Sequence, residues 1–519
     1  MTMPPPSQEF PTVLTTKHEA PMLDSVNADP NAIDYDIVIE GGRVIDPESG
    51  LDALRNIGIV GNEIRAIATS ELRGRKKIDA RDLIVVPGLI DMHSHALDLA
   101  GQRLQAMDGV TTALELESGV PDVASAYAEA AQDGRLINYG YSASWAGVRM
   151  HVMAGESRNA TSRQILEKLG AERWKRDAMP SERAKMRDLL ENQLQGGALG
   201  IGILLGYSPY ADPSEMIDVA RLAQENGLPT FTHARPLVEQ DPSVPVDGAR
   251  EIAEIAASTG AHMHYCHINS TSNQHIDRAC QVIDGAIAEG ARITAESYPY
   301  GAGMTVVGAQ SLHPETLSAY ELEATDIIYS RTGRALSSLE ELAELRRVDP
   351  GGLVFERYFD EETSPHRLSR MLSPKDWAVV SDAMPLVWNG RQDDTQWPIP
   401  ARAITHPRSA GTFGRTLKLA LKGSLGLTLG EAVSKCTLQP ATILEATSPA
   451  MRRKGRLQVG CDADITIFDP QVVSDQATYR NTTRTSRGFS HVLVGGVLVV
   501  HEGNLQMDMR PGRPVRNSS

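Results

Sequence analysis

Pro87-Gly88-Leu89-Ile90-Asp91-Met92-His93-Ser94-His95 decides how the rest of this chain is read. An apolar run leaves a Pro-Gly turn and ends in two histidines two residues apart. In an extended strand successive side chains alternate faces, so residues i and i+2 point the same way. Two imidazoles on one face of a strand end can grip one metal ion. A single His-x-His often arises by chance on a surface. An apolar strand before it and further ligand-type residues after it change its meaning.

Downstream, strand-like and helix-like segments alternate. The strand-like segments are Leu89–His95, Val110–Glu117, Leu136–Ser144, Ala198–Leu205, Pro229–Ala234, His262–Ile268, Ile293–Tyr300 and Trp377–Asp382. Helical patterns lie between most of them, as at Asp122–Gln132, Ser181–Gln195 and Gln274–Glu289. Asp212-Pro213-Ser214-Glu215 puts a cap residue, a first-turn proline and an N3 glutamate in order. Alternation of this kind implies a parallel sheet, and eight units imply an α/β fold of the (β/α)8 TIM-barrel type. A doubly wound sheet is the alternative topology. Residues 304–376 interrupt the pattern between the seventh and eighth strands, with one helical piece at Leu336–Arg347. In a barrel that connection lies on the active-site face, so it reads as a lid or flap, with a passive insertion as the alternative.

The two chain ends carry a different pattern. Asp36–Asp46 gives two strand-like runs around Gly41-Gly42, a hairpin signal. Ile57–Ile67 repeats the idea, His491–Val500 resembles the first hairpin, and Asp462–Phe468 supplies a further strand. Residues 34–86 and 450–510 are therefore expected to pair into one small β-sandwich domain around a barrel of residues 87–449. The first 33 residues are rich in Pro, Ser, Asn and Asp and have no apolar h-region. They read as a loosely ordered leader rather than a secretory signal.

Ligand-type residues recur at the ends of the expected strands: His93 and His95 on strand one, Glu115 and Glu117 on strand two, His233 on strand five, His267 on strand six and Asp382 on strand eight. In a barrel these C-terminal ends converge on one pocket. Four histidines and two carboxylates suit one or two zinc ions, or another divalent metal of similar preference. Glu117 lies nearer its strand end than Glu115 and is preferred as the bridging ligand, with Glu115 as the alternative. His262 and His264 have the opposite parity to His267 and read as packing or surface residues.

Bulk properties narrow the partners. A net charge of −15 over 519 residues disfavours nucleic acid and acidic membrane surfaces. No window is apolar for long enough to span a membrane. The four cysteines form no Cys-x-x-Cys pair, which fits a reducing compartment, with the cytoplasm as the default location. The expected partner is a small molecule, and a homo-oligomer is compatible with the sequence.

On these residues the chain resembles the amidohydrolase superfamily. Within it the chain looks most like the N-acyl-D-amino-acid deacylases, through Gly196–Gly202 with Tyr207-Ser208-Pro209, Glu296–Gly303, His406–Phe413 and the tail Arg510–Arg516. The resemblance implies hydrolysis of a linear amide, most like an N-acyl-D-amino acid and in one branch N-acyl-D-glutamate. Cleavage of a cyclic, isopeptide or foreign amide or ester is the neighbouring alternative. A non-catalytic scaffold barrel would predict missing ligands, and every expected ligand position is filled. Two departures stand out. The best-known deacylases carry a bridging Cys at the end of strand two, where this chain has an acid, and a Lys two residues after the strand-six His, where it has Asn269. Strand four has no Lys to carboxylate as a bridge.

The expected mechanism gives Asp382 the part of proton acceptor and donor, and places the substrate carbonyl at the metal held by His233 and His267. Tyr207 and Tyr298 are candidate further donors. Asn269 is a candidate substrate contact. The free carboxylate of an N-acyl-amino acid calls for a guanidinium clamp, with Arg235 and Arg408 as the candidates.

Overall fold

The computed structural model describes residues 34–517 apart from 159, 375 and 389, so the leader expected over residues 1–33 lies outside the described residues. All eight expected barrel strands are present. In order they are Leu89–Asp91, Val110–Val120, Asn138–Ser144, Ile201–Leu204, Thr230–His233, Met263–Tyr265, Ile293–Ser297 and Ala378–Val379, each parallel to its neighbours in one sheet. Several are shorter than their apolar runs, losing residues at one end or both. The intervening helices include Val123–Asp133, Pro180–Gln195 and Ile276–Ala288. Asp212 caps the helix Pro213–Glu225 by accepting from Ser214 N at 2.9 Å. Glu215 turns inward instead of completing a capping box, and bonds buried Arg149 and the Trp145 indole.

Among the described residues, strands one and eight share no regular ladder. They meet through a single parallel bridge between Ser94 and Ala383, with His95 N donating to Ala383 O at 2.8 Å. The Asp91 side chain completes the join. It accepts from Ser381 N at 3.0 Å, from the Ser381 hydroxyl, and from Gln105 Nε2 at 2.7 Å. A carboxylate thus does the work of missing backbone hydrogen bonds at the barrel seam, where unpaired buried peptide groups would otherwise be costly.

The chain ends build a nine-stranded, mostly antiparallel sheet. Ile84–Pro87 from the front pairs antiparallel with Ile465–Phe468 from the rear, so the two ends share one hydrogen-bonded sheet. Ile39, Ile57, Ile59, Ile465, Ile467 and Leu493 pack into its core. The hairpin expected at Gly41-Gly42 is a bulge: Tyr35–Asp46 is one strand whose register shifts between Ile39 and Gly42. Gly41, at φ 72°, supplies the left-handed residue that a bulge of this kind needs. Gly495-Gly496, with φ 52° and 76°, is a true two-residue turn joining Phe489–Val494 to Val497–His501.

The insertion between strands seven and eight folds on its own core. Ala302–Val306, Leu353–Arg357, Ile327–Tyr329 and Arg334–Ala335 make a four-stranded antiparallel sheet backed by the helix Leu339–Val348. Val307, Leu312, Ile327, Leu342 and Val354 are buried beneath it. Met304, Thr305, Tyr320, Glu356 and Tyr358 from this unit line the cleft at the barrel mouth, so it roofs that cleft.

Candidate metal centre

Glu117 is the hub of the mouth. Its Oε1 lies 2.6 Å from His267 Nε2 and 3.1 Å from His233 Nδ1, and its Oε2 lies 3.3 Å from His93 Nε2 and 3.4 Å from His95 Nε2. One carboxylate therefore touches all four histidines, one oxygen to each pair. Asp382 Oδ1 sits 3.5 Å from both His93 Nε2 and His95 Nε2. The six residues expected to converge do so.

Local backbone sets this geometry. Strand two outruns its partner, and its pairing with strand three is irregular between Glu115 and Val120, so Glu115 and Glu117 take different parts. Glu115 lies behind His95 and contacts its Nδ1 at 2.9 and 3.0 Å. His267 (φ 29°) and Asp382 (φ 47°) both stand in the left-handed region at their strand ends, a strain that aims their side chains inward. Gly206 makes room for His233, because a Cβ there would fall 2.4 Å from the imidazole Cδ2.

Two carboxylates orient the paired histidines. Glu296 Oε1 is 2.5 Å from His93 Nδ1, and its other oxygen is 3.0 Å from His264 Nε2. Glu115 does the same for His95. With each Nδ1–H donated to a carboxylate, the two Nε2 lone pairs face each other at 3.2 Å. Glu117 and Asp382 add two more acceptor oxygens. Four acceptors at such range repel unless positive charge lies among them.

The titration directions agree. Burial alone would depress His95, yet Glu115 and Glu117 raise it to about 10. Burial likewise opposes the shift of His93, which Glu117, Glu296 and Asp382 raise well above the ordinary imidazole range. Burial works against Glu117 too, but the surrounding imidazoles hold it well below the usual carboxylate range. The donor set fits a divalent cation of the zinc type: His93, His95, Glu117 form one group that can hold an ion, and Glu117, His233, His267 form a second.

The remaining expected residues divide. Arg408 is buried against the site, with its guanidinium 4.6 Å from the Tyr298 ring centroid, 2.7 Å from Asp382 Oδ2, and its Nη1 without a partner among the described residues. Arg235 commits its Nε to Glu251 at 2.7 Å and a further nitrogen to the Pro209 carbonyl, which ties it to the barrel wall. Asn269 accepts from Tyr298 N at 3.3 Å and does not line the cleft, so it steadies the Tyr298 backbone. Tyr298 lines the cleft, and burial pushes its hydroxyl up to about 12 against the pull of Arg408. The Tyr207 ring lies 5.0 Å from the His233 ring, tilted by 52°, and its hydroxyl bonds Thr305 at 2.7 Å.

Sequence reasoning missed Glu296, His264, Glu356 and Tyr358. Glu296 opens the quoted Glu296–Gly303 stretch at the end of strand seven, and that strand-end position was the available signal. His264 is fully buried and supports Glu296, a packing role with a polar purpose. Glu356 and Tyr358 come from the roof, where no barrel periodicity points to them.

Residues 141–500 match the model of the amidohydrolase family. N-acyl-D-glutamate deacylase of Alcaligenes xylosoxydans xylosoxydans is 27% identical over 513 residues, covering 93% of this chain and 97% of that protein. D-aminoacylase of the same organism is 26% identical, covering 90% and 95%. The crystal structure of N-acyl-D-glutamate deacylase from Bordetella bronchiseptica, complexed with zinc and a phosphonate inhibitor that mimics the tetrahedral intermediate, superposes with a TM-score of 0.72 at 23% identity. It covers 93% of this chain and all of that one. Among the described residues no helix is long and apolar enough to cross a membrane.

Proposed function

This chain belongs to the amidohydrolase family and is a hydrolase of carbon–nitrogen bonds other than peptide bonds; from that premise we propose that it deacylates N-acyl-D-amino acids, releasing a carboxylate and a free amino acid. The observation that carries this reading is the convergence of His93, His95, Glu117 and Asp382 acceptor atoms around one point, beside a buried arginine with a spare nitrogen. The names of its relatives supply the substrate class.

His93, His95, His233 and His267 would hold divalent metal, with Glu117 reaching both pairs and Asp382 beside the first. Bound there, the cation supplies a Lewis acid for the amide carbonyl and lowers the pKa of water. Asp382 Oδ1 accepts the proton of the attacking water and returns it to the leaving nitrogen. Arg408 fixes the other Asp382 oxygen and offers Nη1 to the substrate carboxylate. Tyr298 and the roof exclude bulk water from that pair, which strengthens both interactions. The barrel of residues 87–449, the two-ended β domain and the 304–376 roof are the working units of this reading, with the roof as the part that admits substrate.

The test is amine release from matched N-acetyl-D- and N-acetyl-L-amino acids, with metal content measured on the same sample. D-selective release, abolished by chelation and restored by zinc, is expected. A metal-loaded protein that releases amine from neither series would overturn the substrate class.

A further inference from the structure

The structure assigns to Glu356 the selection of the substrate's side chain, and we infer that the amino acid released here carries a cationic group, an amine or a guanidinium. This rests on the deacylase reading above.

Glu356 sits in the roof strand Leu353–Arg357, in register with Gly303 on one side and Ile327 on the other, and lines the cleft. The hydroxyl of Tyr358 donates to one of its oxygens. The other oxygen has no hydrogen-bond partner among the described residues. A Cβ at position 303 would fall 2.4 Å from Tyr358 Oη and 3.1 Å from Glu356 Oε1, so the missing side chain of Gly303 is what gives the pair its place. An unshared carboxylate oxygen that lines a binding cleft is an acceptor open to a ligand donor, and a cationic donor there makes a charge-assisted hydrogen bond.

The cleft's cations point the same way. Among the described residues lining it, the only arginines are Arg235 and Arg408, and no lysine lines it. Arg235 is paired with Glu251 and Arg408 with Asp382, and the deacylase reading gives the remaining nitrogen of Arg408 to the substrate's α-carboxylate. A second carboxylate on the substrate side chain would meet only guanidiniums already charge-compensated within the protein, Arg235 by Glu251 and Arg408 by Asp382, and would face Glu356. An ammonium or guanidinium would find a ready charge-assisted acceptor. The side-chain preference is therefore opposite to the glutamate in the name of the 27%-identical relative.

The experiment compares kcat/KM of the zinc-loaded full chain for N-acetyl-D-lysine, N-acetyl-D-norleucine and N-acetyl-D-glutamate. The expected order is lysine, norleucine, glutamate, with lysine ahead of its uncharged isostere by about tenfold or more, the worth of one charge-assisted hydrogen bond. In Glu356→Gln the lysine-to-norleucine ratio should collapse toward one, chiefly through KM. Glutamate in first place, or a ratio untouched by Glu356→Gln, would overturn the assignment. Calorimetric binding of free D-lysine, D-norleucine and D-glutamate to the same zinc-loaded protein separates this idea from the deacylase reading. Absence of any amine release sinks that reading alone, while the binding order still decides Glu356: lysine tightest supports it, and glutamate tightest or no discrimination overturns it.

Discussion

Arg408 grips Asp382 twice: Nη2 reaches the carboxylate Oδ2 at 2.7 Å, and Nε reaches the main-chain oxygen of the same residue at 2.7 Å. The second bond holds the strained backbone at φ 47°, and the first leaves Oδ1 as the oxygen turned to His93 and His95. The arginine thus decides which face of the aspartate is available for chemistry.

Arg408→Lys tests that arrangement, since an ammonium cannot reproduce a guanidinium fork. Both kcat and the apparent substrate affinity should fall, with kcat/KM down by about 100-fold or more, given what truncating a buried charge pair typically costs. Steady-state kinetics on N-acetyl-D-amino acids checks this, and a change confined to KM would reduce Arg408 to a substrate contact.

Asp382→Asn should lower turnover by at least ~10²–10⁴-fold, the usual worth of positioned acid–base catalysis. Metal content measured alongside separates loss of the base from loss of the ion. Retained turnover would remove Asp382 from the proton-transfer role.

Glu115 and Glu117, two residues apart, should behave differently. Glu115→Gln and Glu296→Gln leave every direct donor in place and should weaken zinc binding by about 10–100-fold, as for other residues that orient metal-bound histidines. Glu117→Gln removes a contact to all four histidines and should cost more than either. A chelator-competition titration ranks the three, and a larger loss at Glu115 would exchange the two assignments.

Asp108 offers a pH test remote from the metal centre. Its carboxylate accepts from Phe413 N at 2.8 Å, Gly414 N at 2.9 Å and the Ser486 hydroxyl at 2.6 Å, and burial pushes it up to about 7 despite those donors. The folded state then holds a proton that the unfolded chain, with an ordinary pKa of about 3.9, releases. The stabilisation from that proton is fully present below about pH 4 and is lost as pH rises through about 7. Thermal melts of the wild type and Asp108→Asn should therefore converge or cross as pH rises from about 5 to about 8. A Tm difference independent of pH would show that Asp108 titrates normally.

Much of the barrel was legible because its strands are apolar runs that end in polar ligands, and both signals are local. The preference for Glu117 over Glu115 rested on position along a strand, and the irregular pairing after Glu115 gives the two residues their different surroundings. Glu296 and His264 were not legible as a pair, because what joins them to His93 is a lateral contact between neighbouring strands, with no sequence spacing of its own. Gly41-Gly42 reads as a turn, since bulge and turn both need a left-handed glycine, and only strand pairing tells them apart. The roof escaped because its strands are two to five residues long, too short for alternation to stand out.

The Asp91 seam carries a consequence for the order of assembly. Seven of the barrel's neighbouring strand pairs are joined by ladders, six of them between strands consecutive along the chain and the seventh across the roof insertion, whereas Asp91 and Ser381 are 290 residues apart. Closing so long a loop is entropically the slowest join to make. The histidines at 93 and 95 stand on one lip of that seam and Asp382 on the other, so an ion bound between them acts as a clasp. Wrapping of the barrel should finish there, and breathing of the metal-free protein should begin there. Hydrogen exchange at the Ser381 and His95 amides, with and without zinc, would follow the clasp opening while the central strands stay protected.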